Sequence, residues 1–125
     1  MKINVVLCSF FIFGIIGISA CNHEDKELKK DAKVIADVMC KTMEAMKNLK
    51  TIDPADTAQV EKLQMEYAAV QEEMTVLYGK FNTKYGEKTK SKEFNAEFRK
   101  CLSAAMLDCK SLSKEDREIF EKEVK

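Results

Sequence analysis

The chain predicts an all-α protein: a three-helix up-down-up bundle with a short C-terminal fourth helix, following an N-terminal signal peptide. Three observations carry that prediction. Apolar residues recur at alternating steps of three and four over long stretches, the signature of a buried helical face. A single Pro, four Gly and 34% charged residues in 125 suit helices better than strands or disorder. Helix-start chemistry recurs between the periodic stretches, at Asp53-Pro54, Ser91 and Ser113. The length allows one small domain. Lys and Arg balance Asp and Glu at 21 each, so no charge excess points to nucleic acid or an acidic substrate. Removing residues 1–20 takes only Lys2 from that balance.

Residues 3–20 read INVVLCSFFIFGIIGISA behind Lys2. A positive start, an apolar core and small residues before a cut are the parts of a secretory signal. A membrane-spanning helix needs about 20 apolar residues, and this run has Asn4 and Ser9 inside it. The tetrad Ile18-Ser19-Ala20-Cys21 resembles a bacterial lipobox, with an aliphatic residue and two small residues before a cysteine. That resemblance implies a diacylglycerol on the Cys21 sulfur, cleavage before Cys21 and acylation of the new amino group, for instance with palmitate. Each acyl chain contributes roughly 0.8 kcal/mol per buried methylene, so two or three chains give lasting attachment. The alternative is an uncleaved signal anchor with a buried Cys21. Asn22 stands where some bacteria read an Asp as an inner-membrane retention signal, which favours the outer membrane. Glu24-Asp25 is similar to tags that send lipoproteins to the cell exterior. Residues 21–27 read as a lipidated tether, in which His23 serves as spacer, and residues 28–125 as the bundle.

The first helix carries Leu28, Ala32, Ile35, Met39, Thr42, Met46 and Leu49 in a 4-3-4-3-4-3 pattern. Ala36, Cys40 and Met43 widen one flank, and Val38 and Ala45 the other. An arc so broad needs more than one neighbour. The helix is expected to stop near Lys50, and TIDPAD to start the second with Asp53 as N-cap and Pro54 at the first helical position. Val60, Leu63, Tyr67, Val70, Met74, Leu77 and Phe81 follow at the same spacing, with Gly86 as terminator. Ser91 is expected to cap a third helix whose face holds Phe94, Phe98, Cys101, Leu102, Ala105, Cys109 and Leu112. SKED at 113–116 is a capping-box pattern with Asp in place of Glu, opening a short helix with Ile119, Phe120 and Val124.

Outside the cytosol disulfides persist, and with Cys8 removed and Cys21 lipidated, Cys40, Cys101 and Cys109 remain. On one continuous helix Cys101 and Cys109 would be about 12 Å apart, too far for a bridge. In an up-down-up bundle Cys40 stands about 31 Å above the base, Cys109 about 27 Å and Cys101 about 15 Å. Heights therefore pair Cys40 with Cys109; the alternative is three reduced, buried cysteines. With a first helix reading DAKVIADVMCK over residues 31–41 and a second cysteine in the last long helix, the chain resembles small all-helical bacterial envelope lipoproteins. That resemblance brings no activity with it.

The inventory argues against an enzyme. The only His lies in the tether, so no Ser-His or Cys-His pair can form, and no phosphate loop or metal-ligand spacing is present. The carboxylates lie among lysines, as a solvated face would have them. No cofactor is expected beyond the covalent lipid on Cys21. Two constellations remain. Met39, Cys40, Met43 and Met46 place soft sulfur at the spacing of a Cu(I) site, although Met39 and Met46 sit in the apolar seam, where methionine fills irregular cores. On the second helix, Met65, Ala69 and Val76 lie off the main seam, on a face directed at water. The terminal helix covers them, or a partner does. Expected partners are the membrane, through the anchor, and another envelope protein, with no nucleic acid. The function expected is that of a lipid-anchored protein-binding accessory or adaptor; the alternative is a small-ligand or Cu(I) carrier using the sulfur-rich first helix.

Overall fold

A computed structural model describes the backbone of residues 3–125 and the side chains from Lys26 onward. The side chains of Cys21 and His23 and those of the signal segment, Cys8 included, lie outside what the structure describes. Four α-helices follow one another: α1 (Ile3–Thr51), α2 (Thr57–Tyr85), α3 (Lys92–Met106) and α4 (Lys114–Val124), with a 3₁₀ turn at Gly86–Lys90 between α2 and α3. There is no strand among the described residues. The helical bundle is organised around α1, which packs against both α2 and α3, while α4 packs on α3.

The breadth of the apolar arc on α1 is the reason for its central place. Leu28, Ala32, Ile35, Ala36, Val38 and Ala45 are all buried, and they cannot all face one neighbour. Leu28 is the first core residue of the described chain, at 4% exposure. One cluster joins Leu28, Ile35 and Phe81, with Met74, Tyr85, Phe94, Phe98 and Leu102 against it. Its aromatic members interlock, with ring centroids 4.5 Å apart for Phe81–Phe98, 4.6 Å for Phe81–Tyr85 and 5.1 Å for Tyr85–Phe94, all tilted. A second cluster joins Ala36, Met106 and Cys109, with Met43, Leu112 and Phe120 against it. Met39 and Leu102 touch both clusters and make them one core.

Three helix ends follow from local chemistry. The Ser91 hydroxyl accepts from Phe94 N–H at 3.3 Å and the Ser113 hydroxyl from Asp116 N–H at 3.0 Å, each satisfying a donor that has no carbonyl partner in the first turn. Gly86 terminates α2 at φ 45°, a region that favours Gly, and its N–H donates to the Asn82 carbonyl.

Besides α1, whose helix runs from Ile3 through the stretch expected as a tether, two boundaries differ from the sequence reading. The N-cap of α2 is Asp56, not Asp53: Asp56 accepts from Gln59 N–H at 3.2 Å. Asp53 instead accepts from Ala55 N–H at 2.9 Å, building an Asx turn in the connection. Two aspartates three residues apart can each cap, and the turn claims the first. The other difference is the end of α3, which stops at Met106 rather than reaching Leu112. No Gly or Pro marks that stop. Cys109 N–H donates to Met106 O and Asp108 N–H to Ala105 O, tightening the last turn. The Arg117 guanidinium of α4 then donates to the carbonyls of Leu107 at 2.9 Å and Cys109 at 3.3 Å. A side chain from the next helix thus supplies partners for carbonyls that a longer α3 would have used itself.

Phe81 is the one buried residue of α2 and touches Tyr85, Phe94 and Phe98. Phe81→Ala is expected to destabilise the domain by about 3–5 kcal/mol, read as a lowered urea midpoint with unchanged slope.

Candidate functional site

Cys40 and Cys109 are joined in a disulfide, with Cα atoms 5.7 Å apart and a separation of 69 positions in sequence. The bridge ties α1 to the segment between α3 and α4. Cys109 lies outside α3 and still meets Cys40, because the chain turns directly after Met106, whose side chain packs beside Ala36. Cys101 is a buried thiol on α3.

The bridge decides the sulfur-rich stretch of α1. Cys40 is committed to Cys109, so its sulfur is not a thiolate ligand. Met39 packs against both core clusters, Met43 against the second, and Met46 is 42% exposed. Among the described residues no group of three His, Cys, Asp or Glu side chains is placed to hold a metal ion.

On α2, Met65 is 69% exposed and Val76 50%, and Ala69 between them is exposed as well. At steps of four and seven they form one stripe. The terminal helix does not cover it. No Cα of α4 comes within 8 Å of one in α2; Phe120 turns into the cluster of Ala36, Met106 and Cys109 instead, and Ile119 is itself 57% exposed. The physical reason is the shortened α3. The Arg117 bonds to Leu107 and Cys109 hold the start of α4 against the end of α3. Tyr67 and Tyr85 are half-buried, whereas Tyr78 is exposed.

A polar cluster that the sequence reading did not single out lies at the Leu28 end. Lys84 of α2 bonds Asp31 at 2.6 Å and Glu27 at 3.0 Å, both on α1. The Tyr85 hydroxyl donates to Asp31 at 2.8 Å, and the Lys84 ammonium stands 5.3 Å from the Tyr85 ring centroid. The hydrogen bonds that Lys84 donates to Asp31 and then to Glu27 hold its proton more tightly than usual. Lys84 in turn lowers the Glu27 carboxyl below its ordinary range. Burial first, and the bond to Asp31 second, push the Tyr85 phenol up to about 12. The i, i+4 spacing of Glu27 and Asp31 was the available signal, but such pairs occur on most solvated helices.

Compared with models of known protein families, with curated proteins and with solved structures, the chain matches none. The functional reading therefore rests on its own residues. No helix among the described residues is long and apolar enough to cross a membrane.

Two outcomes test this geometry. Closing a loop of 69 residues is worth about 4 kcal/mol in chain entropy, so Cys40→Ser with Cys109→Ser is expected to lower the unfolding free energy by that order, read as a lower urea midpoint. A raised folded-state Tyr85 value favours folding while pH stays below the ordinary tyrosine range, and that gain is lost as pH rises through about 12. Thermal melts from pH 9 to 12 are expected to show that loss in the native chain and a shallower one in Tyr85→Phe, which is also less stable at pH 7 by about 1 kcal/mol through its lost hydrogen bond.

Proposed function

We propose that this chain is a lipid-anchored adaptor of a bacterial envelope that works by binding another protein, without catalysis. In this reading residues 1–20 are removed, Cys21 carries the lipid, and α1, α2 and α3 stand up-down-up on that anchor at the outer membrane. The tetrad Ile18-Ser19-Ala20-Cys21 supports the anchor. Lys84 bonds Glu27 and Asp31, while Lys41 lies 3.5 Å from Glu73; rising numbers on α1 meet falling numbers on α2, which supports the antiparallel pairing. The disulfide fits a compartment outside the cytosol.

The observation that carries protein binding is the uncovered stripe of Met65, Ala69 and Val76. Exposed apolar side chains scattered singly need no explanation. A row of them on one face, off the seam that packs α2 on α1, is a place for a partner helix or sheet. A carrier built on Met39, Cys40, Met43 and Met46 is disfavoured by the commitment of Cys40 to the bridge.

Metabolic labelling with an alkyne palmitate is expected to mark the native chain and to fail on Cys21→Ser; label persisting on Cys21→Ser would reject the anchor. Extraction of the tagged chain in mild detergent is expected to bring a stoichiometric partner, lost from a variant carrying Met65→Lys and Val76→Lys. A partner retained by that variant would remove the α2 stripe from the proposal.

A further inference from the structure

A cleft of about 490 Å³ opens between the C-terminal part of α1 and the 110–113 segment, with Met43, Met46 and Leu112 among its apolar walls. Lys47, Lys50 and Lys110 stand on its rim. None of the three lysines makes an ion pair among the described residues. The one carboxylate on the rim, Asp116, accepts from the Ser113 hydroxyl at 2.7 Å as part of the α4 cap. The cleft is thus apolar inside and positive around its edge.

Its wall is fixed before any ligand arrives. Residues 110–113 are held at one end by the Cys40–Cys109 bridge and at the other by the Ser113 cap, with Arg117 bonded back to Cys109 O. Immobilising a wall in advance removes an ordering cost from binding. The site also lies away from any anchor that precedes Lys26: Lys47 is about 30 Å farther along the α1 axis at 1.5 Å per residue.

We propose that this cleft binds an acidic peptide segment of a partner protein, with an apolar side chain seated against Met43, Met46 and Leu112 and carboxylates facing Lys47, Lys50 and Lys110. The charge of the rim selects the acidic segment, and the adaptable methionines accept an aliphatic or aromatic anchor. The inference deepens the protein-binding reading and rests on it, but it uses a surface separate from the α2 stripe. A chain engaging partners at both places would be a two-sided adaptor.

The test is fluorescence anisotropy on the full chain in detergent, with a fluorescein-labelled peptide of Asp and Glu around a central Leu-Phe pair. Two control peptides carry Lys in place of the acids, or Ser in place of Leu-Phe. Saturable binding of the acidic apolar peptide is expected, with neither control binding and with at least tenfold weakening between 50 and 300 mM salt. Lys47→Glu with Lys110→Glu, all at exposed positions, is expected to weaken it more than tenfold, and Met46→Asp likewise. Met65→Lys with Val76→Lys is expected to leave it unchanged. No binding, binding insensitive to the cleft variants, or binding lost only with the α2 variant would overturn the proposal. So would phosphatidylglycerol vesicles that bind through Lys47 and Lys110 where the peptide does not. Failure here alongside a partner still captured through the α2 stripe would reject the cleft and leave the adaptor reading standing.

Discussion

The Cys40–Cys109 bridge matters because the core it reinforces is thin. Among the large side chains of the described residues only Ile35 and Met106 are wholly enclosed, and the seam residues of α2 from Val60 to Leu77 are half-buried. A domain of this size has a high ratio of surface to interior, and a covalent link between distant segments offsets part of the deficit. The link also does structural work that entropy alone would not require. It fixes where the chain goes after α3, and so where α4 begins.

From that point the arrangement of exposed surface follows. With α3 ended at Met106 and Arg117 bonded to Leu107 and Cys109 carbonyls, α4 is held on α3 and its Phe120 enters the core beside Ala36. α2 keeps only α1 as a neighbour along most of its length. A pair of packed helices buries one stripe of each, so whatever apolar residues lie elsewhere on α2 stay in water. Met65, Ala69 and Val76 are those residues. Their exposure is a consequence of where α4 packs, not of an unusual sequence.

The two ends of α1 differ in kind. At the Leu28 end, Glu27 and Asp31 converge on Lys84, and an interlocked aromatic group lies against the same turn. Exposed ion pairs contribute little singly, but here the ammonium bridges two carboxylates and adjoins a half-buried phenol, so the contacts orient α2 on α1. At the Thr51 end no such polar closure exists among the described residues. Lysines surround an open apolar cleft, and rigidity comes from the bridge and the Ser113 cap. The end nearer Lys26 is closed and the end nearer Thr51 is open.

Helical class, the number of helices and most of the core were legible without coordinates, because a seam of steps of three and four leaves an amphipathic helix few ways to hide its face. Leu28, Ala32, Ile35, Ala36, Phe81 and Cys101 are buried where that periodicity puts them, and Ser91 and Ser113 cap as their side-chain chemistry dictates. Helix heights paired Cys40 with Cys109, and the structure joins them. The end of α3 was not legible: residues 107–112 continue a good helical pattern, and the carbonyls left there find their donor on an arginine ten residues beyond Leu107. Nor was the choice between Asp53 and Asp56 as cap, since both offer the same oxygen. The covering of the α2 stripe depended on which neighbour α4 chose, and the Lys84 cluster on which lysine of α2 lay opposite Glu27 and Asp31. Periodicity and capping act within a few residues and are written in the sequence. Which helix end meets which side chain is settled by packing across dozens of residues, and only the tertiary structure decides it.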